Sequence, residues 1–195
     1  MSVFKKIADR LIQKELIPAE DREIYAYGFD ILFYTIWSTA VLILIGLLFG
    51  QFPDAVVLIA VFYTFQTAGG GYHADTHWKC LLSMVIGLVV GLVMCRLSIP
   101  PVVLWILMAV GTVVLLILPL VLHPNKAFLE EKRIGLSIRS VIVTFCVLAA
   151  AITLSLFFPR LLCAFAMSSI LAAVSRIAGK VAYSKASPAD LHSEM

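Results

Sequence analysis

Long apolar runs separated by short polar stretches make up most of the chain. A helix needs about 20 consecutive apolar residues to span the hydrocarbon core of a bilayer. Six segments are apolar enough to be predicted as membrane helices: residues 31–49, 55–67, 80–95, 101–122, 140–159 and 161–178. These segments leave no room for a sizeable soluble domain, so the pattern predicts an all-α polytopic membrane protein, a single membrane domain over residues 1–195.

The second and third segments are the shortest. At 1.5 Å per residue, residues 55–67 reach about 20 Å and residues 80–95 about 24 Å, against a core of about 30 Å. We expect these two segments either to span locally thinned lipid or to re-enter the membrane inside the protein. In the second case four helices cross and these two form a buried hairpin.

Residues 1–22 have a different pattern. Phe4, Ile7, Leu11 and Ile12 recur at helical spacing among charged residues, which predicts an amphipathic helix at the membrane interface. Two roles stay open for it, an anchor on the membrane and a docking site for a membrane-bound partner. The region lacks an apolar core followed by a cleavage site, so we expect no cleavable signal peptide.

The distribution of positive charge predicts the topology. With the N-terminus in the cytoplasm and six crossings, only Arg96 and Arg160 of the 15 basic residues lie outside; Arg176, Lys180 and Lys185 fall in the cytoplasmic C-terminal part. We therefore expect both termini, including the tail at 185–195, to be cytoplasmic. The chain is 62% hydrophobic with a net charge of only +3, which does not suggest a nucleic-acid partner.

The stretch between the two short segments carries the candidate chemistry. It lies on the predicted cytoplasmic side and contains His73, His77 and Cys80. Cys80 follows a polar loop at a membrane boundary, whereas the other cysteines lie in or at the end of apolar runs and are expected to behave as small hydrophobes. Those others are Cys95, Cys146 and Cys163.

A thiol nucleophile needs a base or a local positive potential. On a continuous helix His77 neighbours Cys80, but His73 lies about 10.5 Å along the axis, too far for a hydrogen bond. The three glycines Gly69, Gly70 and Gly71 offer a break. We therefore expect His73 on a loop or bend and Cys80 near a helix start, where the helix dipole favours a thiolate. Backbone N–H groups of the glycines are candidates for cradling an oxyanion.

Two other interpretations of this stretch stay open. In the first, the glycines only make a tight turn and the polar residues sit at the membrane interface. In the second, His73 and His77 are metal ligands at i, i+4 spacing, joined by Cys80 or Asp75. No further histidine is near in sequence, so we predict no metal.

The segment GGGYHADTHWKC resembles the accessory gene regulator B family, membrane peptidases that process quorum-sensing pro-peptides in Gram-positive bacteria. His73 and Cys80 match the His and Cys that this family carries seven residues apart after a Gly-rich approach. The later Pro124-Asn125-Lys126, with the charged residues at 130–133, is also similar. Members often carry basic residues before the glycines, where this sequence has Phe65-Gln66-Thr67. The resemblance extends over nearly the whole chain.

The resemblance implies a cysteine endopeptidase of the bacterial cell membrane, without a cofactor and with a homodimer as its expected assembly. His73 would deprotonate Cys80, which would cleave the acidic tail from a pro-peptide with an amphipathic leader and form a thioester. A cysteine of the peptide would then close a cyclic thiolactone. The short segments 55–67 and 80–95 would hold the glycines below the lipid surface and exclude water.

Two further residues have secondary roles. His77 is not a required position of the family, and Asp75 is a candidate for orienting His73. The alternative function is a non-enzymatic transporter or peptide exporter. Transporters usually carry ionisable residues within their spans, and the predicted apolar cores lack them, so the enzyme is favoured.

Overall fold

The computed structural model describes residues 2–72, 74, 76–121 and 132–185, and in this part of the chain the regular structure is helical. Five helices are long and apolar enough to cross a membrane, and a sixth apolar helix, α5, is shorter. The prediction of an all-α polytopic membrane protein is confirmed. The helices are α1 (Ser2–Gln13), α2 (Arg22–Leu48), α3 (Phe52–Gly69), α4 (His77–Arg96), α5 (Pro101–Ile117), α6 (Arg133–Phe157) and α7 (Leu161–Lys185), with a 3-10 turn at Ala19–Asp21 before α2.

The prediction that residues 55–67 and 80–95 form two undersized segments is wrong. α3 has 18 residues and α4 has 20, which corresponds to about 27 and 30 Å of helix. Each helix includes polar end residues that the apolar run leaves out. The shortest membrane-type helix is α5, with 17 residues; it ends at Ile117 instead of 122, two residues before Pro119, which cannot continue a helix.

Other helices also extend past their apolar runs. α2 begins at Arg22 instead of 31, α6 begins at Arg133 instead of 140, and α7 continues to Lys185 instead of 178. Charged residues belong to helices as readily as apolar ones when a polar environment lies near the helix end. Apolar runs therefore locate these helices but not their ends.

The chain divides into two compact units, Met1–Val41 and Leu42–Met195. In the first unit the predicted amphipathic helix is present over Ser2–Gln13. It ends before Glu15, whose φ of 56° is left-handed, and Pro18 then precedes the 3-10 turn that leads into α2.

Ion pairs join α1 to the start of α2 within this unit. Arg22 donates two hydrogen bonds to Asp9, one of them 2.8 Å long, and Lys5 pairs with Glu23 at 3.0 Å. The Arg22 guanidinium holds the pKa of the Asp9 carboxyl below its ordinary value. α1 is therefore tied to α2 as well as amphipathic.

In the second unit α7 is the central helix. In its most apolar stretch 61% of the residues are buried, against 22–33% in α3, α4 and α6. Small side chains allow such close packing in membranes; a Cβ added at Gly111 of α5 would lie 2.8 Å from the backbone of Ser169. The buried small residues of α7 include Ala164, Ala166, Ser168, Ala172 and Ala173.

Candidate functional site

A Gly-rich loop, residues 69–72, follows the end of α3. Gly70 has φ +69° and ψ −163°, and its amide donates to the carbonyl of Gln66 at 2.9 Å, which caps the helix. The described residues between α3 and α4 are not helical. The expected break at the three glycines is therefore present.

The loop is packed tightly against other helices. The amide of Val121 donates to the carbonyl of Gly69 at 2.8 Å, and Val121 pairs with Gly70 as an isolated β-bridge. A Cβ added at Gly70 would collide with the carbonyl oxygen of Val121. A Cβ added at Gly69 would collide with the Arg176 guanidinium and lie 2.5 Å from Oγ of Ser140. Side chains at 69 and 70 are thus excluded by their neighbours.

An unfavourable φ alone costs about 1–3 kcal/mol. We expect Gly70→Ala to lower the free energy of unfolding by more than this. It combines that backbone strain with the collision at Val121. Two controls separate these terms: Gly50→Ala has φ +65° but open space around it, and Gly28→Ala in α2 meets nothing within 4 Å. Thermal unfolding of the purified protein in lipid nanodiscs, followed by circular dichroism, should rank Gly70→Ala below Gly50→Ala and Gly28→Ala near the wild type. Equal midpoints for Gly70→Ala and Gly50→Ala would contradict a constraint from Val121.

Cys80 lies in the first turn of α4, as the sequence predicts. Thr76 is the N-cap; its Oγ1 accepts from the amide of Lys79 at 3.4 Å, and its carbonyl accepts from the amide of Cys80 at 3.1 Å. The thiol residue is half-buried. His77, the first residue of α4, is exposed and lies three residues before Cys80. The start of α4 therefore holds Cys80 at a polar boundary, next to His77 on the helix.

His73 and Asp75 lie outside the described residues. The pairing of His73 with Cys80, and an orienting role for Asp75, therefore stay predictions. Within the described ranges no group of three or more His, Cys, Asp or Glu residues is placed to hold a metal ion.

The oxyanion role predicted for the glycines also stays a prediction, but the structure reduces the number of glycines that could have it. Gly70 already donates its amide to Gln66, and Gly69 belongs to α3. Gly71 is buried, and its carbonyl accepts from the Tyr183 hydroxyl at 3.3 Å. An oxyanion donor in this loop is therefore expected at Gly71 rather than at Gly70.

A cavity of about 450 Å³ lies among the ends of α5, α6 and α7. Val121, the partner of Gly70, lines it, so the cavity adjoins the Gly-rich loop. Among the residues that the structure describes, its polar lining consists of cations and hydroxyl groups: Arg133, Ser137, Lys180, Tyr183 and Ser184. Such a lining suits an acidic ligand.

Arg176 is the residue that the sequence analysis missed. The prediction that the apolar cores lack ionisable residues is wrong, because Arg176 lies within α7 with a relative exposure of 0%. Its place on the cytoplasmic side stays a prediction. The signal was the apolar spacing that continues after it, through Ile177 and Val181. An ionisable residue inside the bundle is a candidate for a functional role, so the lack of such residues no longer disfavours a transporter.

No curated protein and no solved structure resembles the chain significantly. The model of the family described as accessory gene regulator B matches residues 4–176, which is most of the chain. The match includes α1, all six apolar helices in whole or in part, the Gly-rich loop and Cys80. This multi-pass membrane protein therefore belongs to the accessory gene regulator B family, which is known for the processing of quorum-sensing peptides.

Proposed function

We propose that this protein is a membrane-embedded cysteine endopeptidase that removes the tail of a signal pro-peptide and closes the remaining peptide into a thiolactone. Family membership supports peptide processing. The observation that carries the finer proposal is the position of Cys80, a half-buried thiol in the first turn of α4, a few residues after the Gly-rich loop.

The reaction needs two acyl transfers. His73 takes the proton from Cys80, and the thiolate attacks the peptide carbonyl at the tail junction. The C–N bond breaks, the tail leaves as an amine that carries the proton, and a thioester links the peptide to Cys80. A thiol of the peptide then attacks the thioester, which forms the thiolactone and returns Cys80. Because one thioester replaces another, the exchange is near balance and needs no ATP.

Water competes with the peptide thiol for the thioester, so the site must be dry. Two undersized helices cannot do this, because α3 and α4 are of ordinary length. Burial within the protein is the alternative that the structure offers. Gly69 and Gly71 are both buried, and α7 and Val121 pack against them. Protein packing rather than thinned lipid is therefore our proposed means of excluding water from the glycines.

The proposed topology places both termini and the site on the cytoplasmic face, and the proposed assembly is a homodimer. A pro-peptide with an amphipathic leader would approach along the membrane surface. The charge distribution supports this orientation.

The function is tested by reconstituting the protein in liposomes with a synthetic peptide that carries an amphipathic leader, one internal cysteine and an acidic tail. We expect a product that lacks the tail and is one water lighter than the linear acid by mass spectrometry. Hydroxylamine should intercept the thioester and yield the linear hydroxamate. Transport of the intact peptide across the liposome membrane, without cleavage, would instead support an exporter.

The cationic cavity suggests where the acidic tail binds. We expect Lys180→Glu to raise KM by about three- to tenfold, with kcat nearly unchanged and a larger effect at low salt, because a rim charge acts on encounter and affinity. Arg160→Glu, the same charge change just before the opposite end of α7, is the matched control and should leave KM unchanged. Steady-state kinetics at two ionic strengths measure both. An equal effect of the two variants would contradict binding at the cavity.

A further inference from the structure

Arg176 is a buried cation whose described partners are uncharged. Its Nη1 donates to the carbonyls of Leu115 and Leu118 at 3.0 and 2.8 Å, and its Nη2 donates to the carbonyl of Phe65 at 3.3 Å and Oγ of Ser140 at 3.0 Å. The carbonyls of Leu115 and Leu118 lie at the C-terminal end of α5, where carbonyls lack intrahelical partners and carry the negative end of the helix dipole. Phe65 lies near the end of α3. Arg176 thus offsets the C-terminus of α5 and links it to the end of α3.

The same guanidinium packs against the start of the Gly-rich loop. It lies against the Cα of Gly69, so close that no Cβ fits between them. A planar guanidinium with several donors in fixed directions can bridge three carbonyls, whereas the compact ammonium of lysine cannot. The end of α3 is therefore fixed in position by a side chain of α7.

Three further residues of α7 contact the rest of the loop. Ser175 accepts from the amide of Tyr72, at its carbonyl at 2.9 Å and at its Oγ at 3.2 Å. Tyr183 donates to the carbonyl of Gly71. A Cβ added at Gly179 would lie 2.9 Å from both the Gly71 carbonyl carbon and the Tyr72 amide nitrogen.

These contacts form a continuous surface. Residues 175, 179 and 183 recur every four positions and share one face of α7, and Arg176 is adjacent. Together they contact Gly69, Gly71 and Tyr72, the last of which immediately precedes His73, while Gly70 is held by Val121. Of these four residues of α7, only Tyr183 also lines the cationic cavity.

We propose that α7 is the positioning element of the proposed active site, with Ser175, Arg176 and Gly179 fixing the Gly-rich loop that leads to His73 and Cys80. The effect on rate rests on the proposed function, but the effect on the loop does not. None of the three residues needs to touch the peptide. Their role is to fix the backbone from which the catalytic stretch begins.

Gly179→Ala tests the proposal by inserting a methyl group between α7 and the loop. Displacement of a catalytic group by about 1 Å can cost a hundredfold in rate, so we expect kcat to fall about ten- to hundredfold while KM changes less than twofold. Gly135→Ala in α6, where a Cβ meets nothing within 4 Å, is the matched control and should behave as the wild type.

Ser175→Ala keeps the proposal testable if Gly179→Ala does not accumulate. It removes the Oγ that accepts from Gln66 at 2.7 Å and from Tyr72, while the backbone carbonyl bond to Tyr72 remains. We expect a smaller loss of kcat, about three- to tenfold, again at constant KM. Its control is Thr153→Ala, which removes a hydroxyl that bonds only within α6, to Ala149 at 2.8 Å.

A nitroxide attached at Tyr72→Cys, in full-length protein whose four native cysteines are replaced, reports on the loop without any peptide. Electron paramagnetic resonance should show greater label mobility in Gly179→Ala and Ser175→Ala than in their controls. Unchanged mobility overturns the proposal, whatever the rates. If the unlabelled wild type fails to cleave the peptide while mobility changes as expected, the proposed function fails but the positioning by α7 stands.

Discussion

Replacement of Cys80 by alanine should abolish pro-peptide processing, with a fall in kcat/KM of about 10⁴-fold or more. Without the thiol no thioester forms, and neither cleavage of the tail nor closure of the ring can proceed by the proposed route. The half-buried position of Cys80 at the surface of the α4 N-terminus predicts that the variant folds normally. Mass spectrometry of the peptide, with the membrane content of the protein measured in parallel, checks both statements.

The matched control is Cys146→Ala. Cys146 is a free cysteine on the exposed face of α6, so its loss should change neither accumulation nor rate. Normal cleavage by Cys80→Ala would exclude the cysteine mechanism outright. Cleavage to the linear acid without ring closure would exclude it as well, because the acyl group that the peptide thiol receives is the one that cleavage places on Cys80.

His73→Ala should lower kcat/KM by about 10²- to 10⁴-fold, the usual contribution of a general base. His77→Ala should cost less than about tenfold. The comparison separates two possible bases, because His77 is exposed at the start of α4 and also neighbours Cys80 on the helix. The pH dependence of kcat/KM provides a second readout, since His73→Ala should lose the rise in rate that accompanies deprotonation of the base.

An equal loss in the two histidine variants would make His77 the base or a partner of His73. It would also favour the alternative of a metal ion held by both imidazoles with Cys80 or Asp75. Inhibition of the wild-type protein by a chelator, reversed by added zinc, would then decide for the metal.

The sequence predicts the number and order of the apolar helices, because a run of apolar residues of membrane length has few stable structures other than a membrane helix. The break at Gly69, Gly70 and Gly71 and the position of Cys80 at a helix start follow from local rules for glycine and for polar boundaries. These rules depend only on residues that are neighbours in the chain, so they can be applied without knowing which helices pack together.

Features that depend on distant contacts could not be predicted in this way. The lengths of α3 and α4 depend on polar end residues such as Thr76, which an apolar run leaves out. The burial of Arg176 depends on the ends of α3 and α5 lying beside α7, a relation that no local pattern contains. A charge count places an arginine on a side of the membrane but cannot reveal that its partners are carbonyls inside the bundle.

The contacts that hold the Gly-rich loop also set an order for biogenesis. Tyr72 bonds to Ser175, 103 residues later in the chain, and Gly71 to Tyr183, 112 residues later. During synthesis Cys80 is therefore made and inserted well before the helix that supports its loop exists. Until α7 emerges from the ribosome and enters the bundle, the nascent chain carries a nucleophile without an assembled site. Under the proposed function, the chain would therefore become active only after α7 has joined the bundle.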